Sequence, residues 1–369
     1  MLIGIDGNEA NYPIRVGIGQ FAFNLLCSLH RQNDHRYRYL IFLKNPPLKD
    51  MPQERPNWQY QVFGPPKLWT KYALPGKLFT QNPKPDLFYS PGHYTPLFSP
   101  CPIIPTIHDL AYQKYPRLFT IKDYFQLKLW TFHSLFRARH IVSVSDFTKQ
   151  ELVSRYHLKA DKITVAHNGV DPVPTIKPKQ AQSVLSKFNI SEPFFLYLGT
   201  LKPNKNIPFL IDAFSLFLSR HPDFLLVIAG KKGWLYSEIF AKVTALKLNS
   251  RIVFTDFVTE TEKWVLYQNA FSVLMPSLYE GFGIPAIEAM QAGTPVIVSN
   301  IPPLVEVVGA DGLITDLDHP TFLAEKMALL LDPATRAKII NYGRVRAKKF
   351  TWDKCAKSVM RAFSLAKTG

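Results

Sequence analysis

Ser277-Leu278-Tyr279-Glu280-Gly281-Phe282-Gly283-Ile284-Pro285-Ala286-Ile287-Glu288-Ala289-Met290-Gln291 is the stretch from which the fold is read. Just upstream, Phe271 to Met275 is a short apolar run that reads as a buried strand, ended by Pro276 and Ser277. Gly281 and Gly283 permit a tight loop and close approach of backbone to a ligand. Pro285 suits the first position of a helix. Glu280 therefore falls at a loop tip, and Glu288 in the early turns of the following helix. Backbone N–H groups between them lie at the positive end of that helix, which suits an anion such as a diphosphate. The two carboxylates, acceptors only, are then left for sugar hydroxyls.

The same alternation of apolar run and helical stretch extends in both directions. Candidate strands are Leu2–Ile5, Tyr39–Phe42, Tyr60–Phe63, Leu87–Tyr89, Ile103–Ile107, Ile141–Val144 and Ile163–Ala166. A second series runs through Phe194–Leu198, Phe224–Ala229, Ile252–Phe254, Ser272–Met275, Val296–Val298 and Gly312–Thr315. Many of these runs are continuous rather than alternating, as in strands covered on both faces. Helices fit between them, for instance over Gln20–His30, Ile121–Arg137, Asn206–Ser219 and Thr321–Leu331. The pattern predicts an α/β chain with two open parallel sheets. The proline-rich stretch from Asp171 marks the break. The expected layout is an N-terminal domain over 1–170 and a linker over 171–192 that holds a short helix near 179–187. A second domain over 193–350 and a last helix over 351–369, able to join either domain, complete it.

At 369 residues the chain has room for about two domains. No apolar run approaches the ~20 residues that span a bilayer, and the start, Met1-Leu2-Ile3-Gly4-Ile5-Asp6, reads as a first strand rather than a leader. Cys27, Cys101 and Cys355 are odd in number and lack metal-ligand spacing, which points to a reduced, cytoplasmic setting. The net charge is +16; residues 1–170 hold 21 Lys and Arg against 11 Asp and Glu, so +10 of it lies there. Phosphorylated small molecules or an anionic membrane surface fit such a balance. Nucleic acid is not expected, because zinc-finger spacing and an aromatic-basic RNA-binding strand are both missing.

Several constellations have chemical potential. Gly17-Ile18-Gly19-Gln20-Phe21-Ala22 satisfies a dinucleotide fingerprint by letter, but some ten residues separate it from the preceding strand, so it reads as a loop delivering a helix N-terminus. His108-Asp109 ends an apolar strand, where ligands bind in open α/β sheets, and Asp109 suits a turn cap. Val144-Ser145-Asp146 opens a helix with an ordinary N-cap. Gly199-Thr200-Leu201-Lys202-Pro203-Asn204-Lys205-Asn206 follows the first strand of the second domain, with Lys205 beside a helix start. The basic aromatic stretch Lys67 to Phe79 reads as an irregular connection whose aromatics pack inward. Phe125, Leu129, Phe132 and Phe136 at helical spacing read as a core stripe rather than a membrane face.

These residues, taken in order, resemble the retaining glycosyltransferases of the GT-B fold, glycosyltransferase family 4 (glycosyl transferases group 1). The likeness rests on Glu280-Gly281-Phe282-Gly283-Ile284-Pro285 and Glu288, a Glu-x7-Glu signature. It extends to the glycine loop at 17–19, His108-Asp109, Val144-Ser145, Asn168-Gly169-Val170, the loop 199–206 and Ala292-Gly293-Thr294-Pro295. The resemblance implies two Rossmann-like domains with parallel sheets facing across a cleft and the nucleotide-sugar donor held mainly by the second. It implies His108 near the reacting carbon and Glu280 on donor-sugar hydroxyls, the two residues expected to act in catalysis. Gly281, Phe282, Gly283 and Ile284 would lie along the donor, Glu288 on the ribose, and Lys205 on the diphosphate. Gly17 and Gly19 would lie near phosphates or acceptor, Gly199, Thr200 and Lys202 in the phosphate loop, and Val258 near the base.

The activity implied is metal-independent, retaining transfer of a hexose from a nucleotide sugar to a hydroxyl of a saccharide or lipid-linked saccharide, with no cofactor. That agrees with the lack of an Asp-x-Asp metal site. The loop 199–206 looks closest to mannosyltransferase-like relatives, implying GDP-mannose, with UDP- and dTDP-sugars behind it. The expected location is cytoplasmic, peripheral to the inner membrane surface. A nucleotide-sugar 2-epimerase and a non-catalytic nucleotide-sugar-binding protein are alternatives on the same architecture. Two departures stand out: Asn204 where relatives often carry arginine, and Asp256 where they usually carry glycine.

Overall fold

The computed structural model describes residues 1–65 and 67–368. It divides into two compact units, one formed by residues 1–169 with the C-terminal segment from Thr351, the other by Val170–Phe350.

In the first unit the strands are β1 (Leu2–Asp6), β2 (Arg38–Leu43), β3 (Trp58–Val62), β4 (Leu87–Ser90), β5 (Ile103–Ile107), β6 (Ile141–Ser143) and β7 (Ile163–Val165). They pair in parallel in the order β3-β2-β1-β4-β5-β6-β7, with Ile5 opposite both Ile41 and Tyr89. β4 and β5 are buried along their whole length, as their unbroken apolar runs require. The helix Trp352–Thr368 returns to this unit: Ser28 donates to Asp353 at 2.5 Å, and the Tyr37 and Ser364 hydroxyls meet at 2.9 Å.

The second unit carries β8 (Phe194–Leu198), β9 (Leu225–Ala229), β10 (Ile252–Asp256), β11 (Ser272–Met275), β12 (Val296–Ser299) and β13 (Leu313–Thr315), all parallel, in the order β10-β9-β8-β11-β12-β13. Helix Ile207–Leu218 packs Leu210, Ile211, Phe214 and Phe217 on Phe195, Leu226 and Ile228 in its core. Each such aromatic or branched side chain contributes roughly 1.5–3 kcal/mol by leaving water. Residues 171–192 belong to this unit. Their helix, Pro178–Lys187, lies on helix Glu260–Asn269, and Lys187 meets Glu262 at 2.5 Å.

Both sheets reverse their strand order between a first and a fourth strand, β1 and β4 in one unit, β8 and β11 in the other. Ligands of open α/β sheets bind beyond the carboxyl ends of strands at such points. The loop 199–206 leaves β8 and the loop 276–283 leaves β11, so the two stretches singled out in the sequence emerge side by side.

Two expectations are corrected. The stretch 67–79 is not irregular: Trp69–Ala73 forms a π-type turn and Leu74–Thr80 a helix, with Trp69, Leu74 and Leu78 buried but Leu68, Tyr72 and Phe79 exposed. The stripe Phe125, Leu129, Phe132 and Phe136 is not core; all four side chains face solvent, and the helix buries Thr131, Ser134 and Leu135 instead. An apolar stripe at helical spacing marks a face but does not say which of two faces meets the sheet.

Candidate functional site

At the switch point of the second unit, Lys205 stands in the one-turn 3-10 segment Pro203–Lys205 and Glu280 in the loop after β11. Their side chains meet, Nζ to Oε1 at 2.5 Å, with 21% and 13% of each exposed. Ser277 Oγ donates to the same carboxylate oxygen at 2.8 Å. Ser277 is itself fixed, since its carbonyl accepts from the Ser299 hydroxyl of β12 at 2.6 Å. Asn204 staples the loops: its amide donates to the Tyr279 carbonyl at 3.2 Å, and its own carbonyl accepts from Leu278 N at 2.8 Å. An asparagine in place of arginine thus has a structural task here. Lys202 lies with its ammonium 4.4 Å from the Trp234 ring centroid. Thr200 accepts from the Tyr197 hydroxyl at 3.3 Å. Burial, and then the charge of Glu280, push the Tyr197 hydroxyl's pKa well above its ordinary value, so it stays a neutral donor.

The chain then turns through Gly281 and the buried Phe282, whose ring packs on Phe350, into helix Ile284–Ala292. Gly283 is its N-cap at φ +120°, and a Cβ there would stand 2.5 Å from Leu304 Cδ2. A side chain at that entry would strain the backbone and force Leu304 to shift. The loop therefore delivers the first N–H groups of the helix, beginning at half-buried Ile284, to the same strand ends as Lys205.

Glu288, one turn further, forms a second cluster. Its Oε1 accepts from Lys263 Nζ at 2.8 Å and its Oε2 from the Tyr267 hydroxyl at 2.9 Å. Lys263 also reaches Glu260 at 2.9 Å. Burial works against the Lys263 ammonium, yet Glu288 and Glu260 outweigh it and hold its pKa above the ordinary lysine value. The cluster fixes the Glu288 side chain between Lys263 and Tyr267, with one hydrogen bond on each carboxylate oxygen. Lys263 and Tyr267 were not singled out in the sequence; their spacing of four on helix Glu260–Asn269 was the available signal. Val258 lies in the loop after β10, two strands from β8. Asp256 sits at φ +54°, the left-handed region, which explains why glycine suits this position.

In the first unit, the switch point is a cavity of about 410 Å³ lined by residues that include Asp6, Glu9, Lys44, His93, Gln126 and Trp130. His108 directly follows β5 and stacks on His93 of the lining. Its Nε2–H donates to the Pro91 carbonyl at 2.8 Å, and its backbone N–H donates to His93 Nε2 at 3.0 Å. The two imidazoles stack at 5.9 Å, and Phe21 meets His108 edge-on at 4.8 Å. Burial, then the neighbouring His93, bring the His108 pKa down to about 4. His108 is a neutral imidazole at pH 7 whose Nδ1 is left as the acceptor. His93, missed in the sequence, is buried with no partner for Nδ1. Asp109 accepts from Ala111 N at 3.0 Å, a turn cap.

Burial also raises Asp6 to about 6 against the opposing hydrogen bonds from Asn8. Gly17 caps helix Ile18–Gln32 at φ +52°, so the helix starts two residues before the expected Gln20. Gly19 is inside its first turn, where a Cβ would come within 2.9 Å of the Glu9 carbonyl. The structure thus brings Lys205, Glu280 and the Gly283 helix start together in one unit. His108, Gly17 and Gly19 lie in the other.

Residues 179–346 match the family Glycosyl transferases group 1, and residues 16–173 match Glycosyltransferase Family 4. The chain is 30% identical over 288 residues to O-antigen chain mannosyltransferase B of Escherichia coli, covering 76% of this chain and 75% of that protein. It is 32% identical over 213 residues to O-antigen chain mannosyltransferase RfbU of Salmonella typhimurium, covering 58% and 56%. Anabaena HepE in complex with UDP and glucose superposes with a TM-score of 0.75 at 17% identity, over 98% of this chain and 99% of that one.

Proposed function

Since the chain belongs to glycosyltransferase family 4, glycosyl transferases group 1, and is a glycosyltransferase of the GT-B fold, we propose that it moves a mannosyl residue from a nucleoside-diphosphate sugar to a hydroxyl of a saccharide or lipid-linked saccharide. The reaction proposed is metal-independent and retains anomeric configuration. The observation that carries this reading is the convergence of Lys205, Glu280 and a glycine-capped helix start on the ends of β8 and β11. A cation and oriented N–H groups suit a diphosphate leaving group, and they cost no reorganisation when its charge develops. As the sugar C1–O bond breaks, its electron pair leaves with the diphosphate; the acceptor oxygen bonds to C1 on the same face and gives its proton to the departing phosphate oxygen.

Glu280 holds donor-sugar hydroxyls and Glu288 the ribose in this scheme. Neutral His108 accepts a hydrogen bond from a hydroxyl rather than donating charge. Mannose is supported by the names of the two bacterial relatives, both mannosyltransferases. Placement at the inner surface of an anionic membrane is supported by the +10 balance of residues 1–170, and no described helix is long and apolar enough to cross a bilayer.

The test incubates pure protein with GDP-mannose, alone and with mannose-terminated oligosaccharide acceptors, and follows products by NMR. The expected product is an α-mannoside that forms only with acceptor. A new nucleotide sugar formed without acceptor would instead identify an epimerase. Nucleotide binding without turnover would identify a binding protein.

A further inference from the structure

Helix Glu260–Asn269 sets Lys263 and Tyr267 four residues apart on one face, and both reach Glu288. They take different oxygens of its carboxylate: Lys263 donates to Oε1 and Tyr267 to Oε2. Burial, and then the charge of Glu288, push the Tyr267 hydroxyl well above its ordinary pKa, so it remains a donor. The helix that carries the pair is pinned at both ends. Thr259 and Glu262 close a capping box at its start, where Glu262 also meets Lys187, and Thr294 Oγ donates to the Tyr267 carbonyl at 2.5 Å.

The fold alone does not call for this arrangement. Lys263 is the fourth residue of its helix, near the positive end, where a cation is disfavoured. Its side chain and that of Glu288 are each 12% exposed. Ion pairs so far from water add little net stability over apolar side chains of similar volume. What the pairing does fix is a direction. Glu288 stands one turn into helix Ile284–Ala292, and helical side chains lean toward the N-terminus, so its carboxylate reaches back toward the start capped by Gly283. A carboxylate accepts about four hydrogen bonds. Among the described residues Lys263 and Tyr267 supply one to each oxygen, which leaves one acceptor position on each. Two hydroxyls on adjacent carbons are the complement of that pair.

We propose that Lys263 and Tyr267 are positioning residues that hold the Glu288 carboxylate so that each oxygen accepts from one of the 2′- and 3′-hydroxyls of the donor's ribose, and that they thereby make the site selective for ribonucleotides over their deoxy analogues. This role rests on the proposed place of Glu288 at the ribose. The terminal torsion of a glutamate is broad, so a carboxylate held by one oxygen only is free to turn. With a donor behind each oxygen it cannot turn, and the two remaining acceptor positions stay matched to a diol. Glu260, which meets Lys263 at 2.9 Å, holds the ammonium from the other side and keeps it on Oε1. Losing either donor loosens the carboxylate, and only a ligand that uses both ribose hydroxyls registers the change.

The experiment is isothermal titration of the whole protein with GDP against 2′,3′-dideoxy-GDP and with UDP against 2′,3′-dideoxy-UDP, in wild type, Tyr267→Phe and Lys263→Met. Wild type is expected to favour the ribonucleotide of at least one pair by tenfold or more, since one hydrogen bond to a charged group alone is worth roughly that factor. Tyr267→Phe and Lys263→Met should weaken that ribonucleotide about tenfold and leave its dideoxy analogue within about twofold, so the selectivity collapses. A merely structural role would weaken both members of the pair alike. Tyr267→Phe removes one oxygen and keeps the buried ring, so it decides the matter if Lys263→Met does not fold. A Tyr267→Phe protein that keeps the wild-type selectivity, or loses both ligands equally, overturns the proposal while the ribose preference of wild type, and with it the place of Glu288, stands. Wild type that binds both members of each pair equally takes Glu288 off the ribose and overturns the proposal with it. Wild type that binds neither GDP nor UDP strikes the transfer reading as well.

Discussion

Lys205→Met removes one charge and keeps most of the side-chain stem, so its effects can be worked from the geometry around Glu280. In the free protein, Glu280 Oε1 would retain only the Ser277 hydroxyl at 2.8 Å. Breaking a fully buried ion pair costs about 3–5 kcal/mol, and breaking an exposed one less than about 1. With 21% and 13% of the two side chains exposed, this pair falls between, at about 1–3 kcal/mol of stability. Ligand binding carries a separate loss. Lysine has three N–H donors, so Lys205 can keep Glu280 and take a phosphate oxygen together. One hydrogen bond to a charged group contributes about 1.5–3 kcal/mol, or roughly 10- to 150-fold in Kd. Isothermal titration with GDP and with guanosine separates this from unfolding. The variant should lose that factor for GDP and nothing for guanosine, which lacks the diphosphate. An unchanged GDP affinity, or an equal loss for both ligands, would refute the assignment of Lys205.

Gly283→Ala should destabilise by about 2–4 kcal/mol, read from chemical denaturation. A side chain at φ +120° adds backbone strain, and its Cβ would press on buried Leu304 at 2.5 Å. It should also weaken nucleotide binding, because the helix start shifts. Asp6→Asn should change the pH dependence of stability. The raised carboxyl of Asp6, at about 6, favours the fold at low pH and loses that contribution as pH rises from 3.8 to 6. His108, brought down from 6.5 to about 4, acts oppositely: the unfolded chain takes the proton first, so stability rises with pH across that window. Between pH 4 and 6 these two contributions oppose each other. Denaturation between pH 4 and 7 should therefore show a rising curve in Asp6→Asn, which above pH 6 is more stable than wild type by about 2–3 kcal/mol. A flat curve in the variant would contradict the neutral state of the buried histidines, His108 among them.

The strands were legible because all-parallel sheets bury both faces, so runs such as Ile103–Ile107 and Phe194–Leu198 carry their own signal. The 276–291 loop and helix were legible because glycine and proline punctuate them. What stayed hidden depends on contacts between residues far apart in the chain. Lys263 and Tyr267 reach Glu288 across 25 and 21 positions, a pairing no local pattern encodes. Asn204 bonds across 75 positions to Tyr279, so a departure from the family pattern serves as a structural staple. His93 lies in a Pro-Gly-His-Tyr segment with no periodicity, and only the fold stacks it on His108. Helix Ile121–Arg137 differs from the expectation because Tyr124, Leu127 and Leu135 supply the inward face, and either face satisfies the 3.6-residue period.

Thermal unfolding with GDP, UDP, dTDP and ADP, each beside its nucleoside, tests the central claim most directly. At about 100 times its dissociation constant, one diphosphate should stabilise the protein by about 2.7 kcal/mol, and its nucleoside should do far less at the same concentration. Four diphosphates without effect, or a nucleoside as effective as its diphosphate, would contradict a pyrophosphate site at the ends of β8 and β11.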